Sequence, residues 1–224
     1  SRITYTAAMS PPDNRVTNSS RSRRLQAIRD NLDLADAEVT YLPHALAHDV
    51  ADECFRRLRR EVDWQQEEIV LFGVKRLVPR LVAWYGDAHA VYRYSGVEHR
   101  PLPWITPLAE LKGLAESLSG HPFNSVLLNL YRDGRDGMGW HADDEPELGV
   151  NPVIASLSLG ATRRFRMRHR RRRDQALAID LEHGSLLLMR GATQHHWLHA
   201  LPKTARPAGE RINLTFRLVR PAGP

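Results

Sequence analysis

Polar and apolar positions alternate most regularly between residues 211 and 218. Alternate residues of a β-strand project from opposite faces, so this pattern separates two kinds of surface. One face carries only polar side chains, Arg211, Asn213, Thr215 and Arg217. The other carries only apolar ones, Ile212, Leu214, Phe216 and Leu218. The segment therefore predicts a strand that buries its apolar face and directs two guanidinium groups toward something polar.

The segment NSVLLNLY, residues 124–131, has the same design. Asn129 and Tyr131 share one face, and Leu128 and Leu130 share the other. A surface ribbon with one solvated side would also alternate in this way. We favour a buried polar site because these stretches flank the same candidate metal ligands.

Two stretches instead have helical periodicity. Residues 45–62 place apolar side chains at intervals of four, Leu46, Val50, Cys54, Leu58 and Val62. Residues 107–118 form a second predicted helix, with Pro107 at its start and Leu108, Leu111, Leu114, Ala115 and Leu118 on one side. From Asn124 onward, strand-like runs recur between turn signals. The chain is therefore predicted to be mainly β, an antiparallel domain with flanking helices.

Residues 1–38 are rich in Ser, Asn, Arg and Pro and poor in branched apolar residues, so they are predicted to form a flexible N-terminal arm. Residues 39–224 then form one domain, which the length of 224 residues allows. The single Cys54 excludes an intramolecular disulfide and suits a reducing compartment. With no membrane-spanning run or signal peptide, we expect a soluble intracellular monomer, cytoplasmic in a bacterium and nuclear in a eukaryote.

The composition favours a polyanionic partner. The chain has 32 Lys and Arg against 26 Asp and Glu, a net charge of +6. Arginines are densest between Arg163 and Arg173, where Arg164 and Arg166 alternate with apolar residues before the run becomes wholly polar. This pattern predicts a strand that ends in a basic hairpin tip able to contact phosphates. A solubilising charged surface is the alternative.

Three residues could hold a metal. His141 and Asp143 in GWHADDE lie two apart, so in extended chain both reach one ion. His199 in QHHWLHAL lies in a predicted strand that ends before Pro202. Two imidazoles and one carboxylate hold non-haem Fe(II) and leave positions open for a bidentate co-substrate and O2. By itself the pattern also fits a core histidine beside solvated acids, or a zinc hydrolase.

The polar strand distinguishes among these alternatives. A guanidinium fork binds a carboxylate through two parallel hydrogen bonds, so Arg211 and Arg217 suit a small dicarboxylate. A zinc hydrolase would leave this arginine pair unexplained.

Taken together, the motifs resemble the AlkB family of Fe(II)- and 2-oxoglutarate-dependent dioxygenases, in particular its nucleic-acid demethylases. The resemblance rests on HADDE, HHWLHALP and RINLTFR, and extends over roughly residues 41–220 through LFGVKRLVPR, WYGD, YRYSG, NLYRDG, PVIASLSLGATRRFRMRH and HGSLLLM. It implies a double-stranded β-helix, or jelly-roll, core with Fe(II) held by His141, Asp143 and His199.

The resemblance also implies how the co-substrates bind. 2-Oxoglutarate would chelate the iron beside O2 while its far carboxylate meets Arg211, assisted by Asn129 and Tyr131. Arg217, Asn213 and Thr215 would complete the pocket nearer the metal.

The implied reaction is oxidative demethylation of 1-methyladenine or 3-methylcytosine in DNA, with release of formaldehyde. Single strands are the expected substrate, with duplex DNA as a further one. RNA as substrate, or a nucleic-acid-binding module without turnover, are the alternatives.

Substrate contacts are expected from a nucleotide-recognition region at about 65–105 and from the acids after the iron motif. Tyr94 matches the family's stacking aromatic, and Tyr92 nearby is either a phosphate or base contact or a plain strand aromatic. Phe72 matches the finger that fills the gap left by a flipped base, with an ordinary core residue as the alternative. Asp144 and Glu145 would accept hydrogen bonds from a cationic methylated base, although a solvated acidic loop has the same sequence.

Overall fold

The computed structural model describes residues 32–71, 73–94 and 97–220. The helices are α1 (His48–Glu61), α2 (Thr106–Ser119) and the single turn α3 (Thr193–His196). The strands are β1 (Glu38–Leu42), β2 (Glu68–Leu71), β3 (Val74–Leu77), β4 (Leu81–Gly86), β5 (Tyr92–Tyr94), β6 (Val97–His99), β7 (Ser125–Tyr131), β8 (Met138–His141), β9 (Ile154–Gly160), β10 (Arg163–His169), β11 (Ala176–Leu181), β12 (Ser185–Arg190), β13 (Trp197–Leu201) and β14 (Arg211–Arg217).

Two antiparallel sheets form the body of the fold. The six-stranded sheet has the order β1-β12-β9-β14-β7-β4, and the four-stranded sheet has the order β11-β10-β13-β8. Apolar residues from the facing sides of both sheets pack together between them, including Ile154 and Leu187 from the larger sheet and Met167 and Trp197 from the smaller. The predicted class, mainly β with flanking helices, is confirmed.

A second core lies between the six-stranded sheet and the two long helices. Leu58 of α1 and Leu111 of α2 pack here against Leu128, Leu214 and other buried residues of the sheet. Because the apolar residues of β7 and β14 face the helices, their polar partners must face the smaller sheet. The two-residue alternation seen in the sequence therefore corresponds to the two sides of one sheet.

The helices follow the predicted periodicity, with shorter or shifted ends. The helix predicted over 45–62 begins at His48 and ends at Glu61. The second helix ends at Ser119, and Gly120 after it has a φ of 67°, the left-handed conformation that favours glycine at this position. Leu118, which we placed on its buried side, is 39% exposed.

The segment QHHWLHAL does not form one strand. Its first three residues belong to α3, and the strand begins at Trp197. The turn places Gln194 inside the domain rather than along a sheet face, and Gln194 is buried.

The predicted boundary between the arm and the domain, after residue 38, lies near the start of the described residues. Residues 1–31 lie outside the described residues. Leu32 and Leu34, assigned to the arm, pack against the core between the sheets. The carbonyl of Ala35 accepts a hydrogen bond of 2.9 Å from the Trp197 indole. None of the described helices is both long and apolar enough to cross a lipid bilayer.

Candidate metal centre

A cavity between the two sheets brings together the residues that the sequence assigned to the metal and co-substrate. All nine line it: Asn129, Tyr131, His141, Asp143, His199, Arg211, Asn213, Thr215 and Arg217. They come from four strands and one loop, and six of them alternate along β7 and β14. The cavity is therefore the place where the polar faces of these strands meet.

The two histidines are held by strand register. His141 ends β8 and lies directly opposite His199 of β13, and their ring centroids are 4.2 Å apart. Asp143 follows β8 by two residues, and its Oδ2 lies 3.6 Å from Nε2 of His199. One potential ligand atom from each residue lies within 4.8 Å of the others. We call these three residues the cavity cluster.

Asp143 is buried and ionised. Burial alone would raise the pKa of its carboxyl group, but Arg217 and the two histidines outweigh burial and hold that pKa below its usual range. Arg217 donates a hydrogen bond to Oδ1, which leaves Oδ2 directed at His199. The backbone N–H of Asp143 donates to Oε1 of Gln194 at 2.9 Å, so the loop is held from both sides.

His199 is neutral at physiological pH. Burial lowers its pKa from 6.5 to about 4, and Asp143 only partly opposes this effect. Its ring packs against Phe165, with centroids 5.4 Å apart. Since a metal binds the neutral imidazole, no proton has to be removed before coordination near neutral pH.

Two further clusters among the described residues also contain two histidines and one aspartate. The surface cluster consists of His48, Asp52 and His183, and the hairpin cluster of Asp36, His169 and His196. Their backbone partners differ from those of the cavity cluster. Nδ1 of His183 accepts a hydrogen bond from the N–H of Gly160 at 2.8 Å.

These partners fix the tautomers. A backbone N–H can only donate, so Nδ1 of His183 carries the lone pair and Nε2 carries the proton. Nδ1 of His169 likewise accepts from the N–H groups of Arg171 and Arg172. Nδ1 of His141 instead donates to the carbonyl of Gly139 at 2.8 Å, which leaves its Nε2 free for a metal. The cavity cluster is therefore the one whose hydrogen bonds suit coordination.

The environment of Arg211 indicates which kind of co-substrate the cavity could bind. The residue is only 2% exposed, and burial lowers the pKa of its guanidinium to about 10. It donates to the hydroxyl of Ser158 at 2.8 Å and lies 5.3 Å from the centroid of the Tyr131 ring. Its Nε is buried with no hydrogen-bond partner among the described residues. A buried cation held by neutral groups is costly, so the cavity is suited to a bound carboxylate.

Several neighbours that sequence reasoning missed orient these residues. Nε of Arg80 donates to Oδ1 of Asn129 at 2.7 Å, which fixes the amide and leaves its nitrogen as a donor. Asn213 donates to Ser156 at 2.7 Å and accepts from Thr215 at 3.0 Å. The alternation of β9 could have identified Ser156 and Ser158, since both fall on one face of SLSLG.

The charged residues predicted to contact the substrate do not line the cavity. Asp144 and Glu145 are exposed beside the cavity cluster, and Asp144 accepts a hydrogen bond of 2.7 Å from Arg170 of the hairpin tip. Arg164 and Arg166 project from the outer face of the four-stranded sheet, away from the cavity. Arg164 is paired there with Asp180 through two bonds of 2.8 Å.

The nucleotide-recognition region includes two short hairpins, β2–β3 and β5–β6. Phe72 lies outside the described residues. Tyr92 and Tyr94 are the ends of β5, and their side chains also lie outside what is described. Beside Phe72, Val70 is 65% and Val74 is 54% exposed, so this hairpin presents an apolar surface to solvent.

Comparisons with known proteins agree with this geometry. The model of the 2OG-Fe(II) oxygenase superfamily matches residues 38–217. The alpha-ketoglutarate-dependent dioxygenase alkB homolog 3 of Bos taurus is 46% identical over 180 residues, which are 76% of this chain and 62% of that protein. The DNA oxidative demethylase ALKBH2 of Mus musculus is 41% identical, over 76% of each chain. The chain thus spans about 62% of the first of these relatives.

Solved structures show the same fold at low identity. OsALKBH1 superposes with a TM-score of 0.58 and 16% identity, over 84% of this chain and 99% of that chain. A prolyl hydroxylase from Trichoplax adhaerens, in complex with a hypoxia inducible factor peptide, superposes with a TM-score of 0.59 and 14% identity, over 93% and 96%. The jelly-roll core that the family resemblance implied is confirmed.

Proposed function

Because this chain belongs to the AlkB family within the 2OG-Fe(II) oxygenase superfamily, we propose that it is an enzyme that oxidatively demethylates alkylated bases in DNA. The proposed co-substrates are 2-oxoglutarate and O2, and the proposed metal is Fe(II). The name of the mouse relative, a DNA oxidative demethylase, supports DNA as the substrate. We propose that the enzyme acts as a monomer, because the cavity of a single chain already contains every residue assigned to the metal and the co-substrate.

The observation that carries this proposal is that the buried guanidinium of Arg211, which has no carboxylate partner among the described residues, lies in the same cavity as the cavity cluster. Arg211 fits the far carboxylate of 2-oxoglutarate because a charge-assisted bond would use its buried Nε. Asn129 and Tyr131 lie beside it on the adjacent strand β7, where Tyr131 pairs with Arg211 in register. A substrate with one carboxylate at each end would span from these residues to the metal.

His141, Asp143 and His199 would hold the iron. Bound Fe(II) would activate O2 for oxidation of the methyl group, while 2-oxoglutarate would be converted to succinate and CO2 and the methyl carbon would be released as formaldehyde. The chain itself keeps His199 neutral, holds Asp143 ionised and fixes the tautomer of His141. Arg217, Asn213 and Thr215 would form the cavity wall between the metal and Arg211. Arg217 donates a hydrogen bond to Asp143, and Thr215 donates one to Asn213.

Adenine methylated at N1 and cytosine methylated at N3 are cationic, which favours a mouth lined by acids. Asp144 and Glu145 are the exposed carboxylates that follow the metal ligands. Asp144 is shared with Arg170, so binding of a cationic base there would displace this arginine toward the phosphates. We propose that Tyr94 stacks on the base, with Tyr92 beside it. Arg164 and Arg166 would contact flanking phosphates from the outer sheet face.

The apolar hairpin β2–β3 supports a role in opening duplex DNA. Exposed valines on both sides of Phe72 indicate a surface directed away from the core. We propose that Phe72 enters the space vacated by the flipped base, which offsets part of the unstacking free energy of a few kcal/mol.

The decisive experiment incubates the protein with Fe(II), 2-oxoglutarate and oligonucleotides that carry 1-methyladenine or 3-methylcytosine. Mass spectrometry of the oligonucleotides and measurement of succinate are expected to show equal amounts of demethylated DNA and succinate. The same lesions in RNA form the second set. Faster turnover of RNA would reassign the substrate, and an absence of succinate with every substrate would leave only a binding role.

A further inference from the structure

The outer face of the four-stranded sheet contains an exposed tryptophan that the cavity does not use. Trp140 lies on β8, the residue before His141, and is 40% exposed. Since adjacent strand residues point to opposite faces, Trp140 projects outward while His141 faces the cavity. β8 is also the edge of its sheet. A polymer that leaves the cavity and passes around this edge would meet Trp140.

This outer face is positively charged. Three arginines of β10 are exposed on it, Arg164, Arg166 and Arg168. All four strands of this sheet are described, and their one carboxylate is Asp180. The guanidinium of Arg168 reaches across β13 and lies 4.2 Å from the centroid of the Trp140 ring. An aromatic ring and a row of cations are therefore combined on one surface.

A shallow groove borders the tryptophan. It is lined by Pro79, by residues 137–140 in and just before β8, and by residues 200–203 at the end of β13, which include Lys203. Gly139 also lines it, and a Cβ added there would meet no atom within 4 Å. The groove is thus open at Gly139, the residue before Trp140.

We propose that Trp140 and this groove form a nucleotide subsite that stacks a base of single-stranded DNA flanking the methylated one. Stacking on an exposed aromatic side chain, with cations that follow the phosphates, is how proteins bind single strands without reading sequence. The proposal extends the proposed function, since the strand that enters the subsite is the one whose methylated base enters the cavity.

A protein partner fits this face less well. Trp140 is the one large apolar residue exposed on the four strands, so there is no contiguous apolar patch of the kind found at protein interfaces. The surrounding arginines instead match a polyanion.

The test measures binding separately from turnover. Fluorescence anisotropy with unmethylated DNA single strands of increasing length, extended on either the 5′ or the 3′ side, needs neither iron nor demethylation. We expect extension on one side to increase affinity until the subsite is filled. Trp140→Ala should then lower the affinity of the long strand about tenfold, and Trp140→Phe should lose much less, because one stacked base contributes on the order of this factor.

The matched control is Val150→Ala, which removes an exposed apolar side chain, 77% accessible, from the loop after β8. It should leave the affinity unchanged. Melting temperatures establish that the variants are folded. Equal affinities of Trp140→Ala and the unmutated protein for long strands would overturn the subsite.

Photocross-linking provides a second readout that loss of fold cannot imitate. A 5-bromodeoxyuridine placed at successive positions on either side of the central base should cross-link to the peptide that contains Trp140 from one flank only. Cross-links that map elsewhere would contradict the proposal. Both measurements remain informative if no succinate is formed, so failure of the demethylase proposal and failure of the subsite are distinguishable.

Discussion

The cavity cluster and the surface cluster have the same ligand types, and each has its ligand atoms within 4.8 Å of one another. They differ in the hydrogen bond that Nδ1 of a histidine ring makes with the backbone. His141 donates to a carbonyl oxygen, whereas His183 accepts from a backbone N–H. They also differ in burial, since the His48 side chain is 80% exposed and His199 is buried. Residue type and distance therefore do not identify a metal site without the hydrogen bonds around it.

The largest expected difference between the clusters is in activity. His141→Ala or His199→Ala should reduce turnover by more than about 100-fold, since loss of an outer-shell partner alone can cost 10 to 100-fold. His48→Ala in the surface cluster should retain full turnover. Succinate formation with a methylated oligonucleotide measures all three. Substantial activity in His199→Ala would remove that residue from the proposed ligand set.

The next comparison concerns two arginines. Arg211→Ala should raise the 2-oxoglutarate requirement by an amount equivalent to about 2 to 5 kcal/mol, because a buried carboxylate then loses its partner. Arg59, which binds Glu210 beside the surface cluster, is the control. Arg59→Ala should leave the KM for 2-oxoglutarate unchanged. Titration of 2-oxoglutarate at saturating oligonucleotide separates the two outcomes, and equal KM values would assign the carboxylate to another residue.

Stability of the metal-free protein should depend on pH through His199. Its folded pKa of about 4 lies below the ordinary 6.5, so between these values the unfolded chain binds a proton that the folded chain does not. The free energy of unfolding therefore falls as pH decreases through this window, by about 3 kcal/mol.

The measurement is urea unfolding in the presence of a chelator at pH 7 and pH 4.5. His199→Gln cannot bind this proton and should lose less stability over the same range. His48→Gln, on the exposed surface, should follow the unmutated protein. Parallel curves for all three proteins would show that His199 titrates normally in the folded chain.

The smallest effect is metal-linked stabilisation. A metal that binds only the folded state at 100 times its dissociation constant stabilises it by about 2.7 kcal/mol. Mn(II), which does not oxidise in air as Fe(II) does, should stabilise the unmutated protein and His48→Ala equally, and His199→Gln hardly at all. Calorimetry should find one site per chain. A second site lost in His48→Ala would mean that the tautomer of His183 does not prevent coordination.

The sequence predicted the cavity wall because its strands have one polar and one apolar face. The alternation of Arg211, Asn213, Thr215 and Arg217 is sufficient to place all four together, whatever the surrounding fold. The fold class followed from the same period and from the turns between strands. Naming the individual roles required the family resemblance, since alternation indicates direction and not the ligand.

Other residues could not be predicted because their roles arise from contacts between distant segments. Gln194 reaches Asp143 only because one helical turn interrupts the segment predicted as a strand. Arg163 begins the arginine run that suggested a surface, yet it is buried and donates to the carbonyls of Asp133, Asp136 and Pro202. A run of like charges does not show which member satisfies the backbone of a neighbouring loop.

His141 and His199 belong to the four-stranded sheet, whereas Arg211 belongs to the six-stranded one. In the proposed enzyme, the distance between the sheets would therefore determine which length of dicarboxylate can bind the metal and Arg211 at the same time. A keto diacid one methylene shorter or longer could satisfy one end of the cavity but not both. Met189 and Phe165, which line the cavity and carry no charge of their own, would set co-substrate choice through their volume.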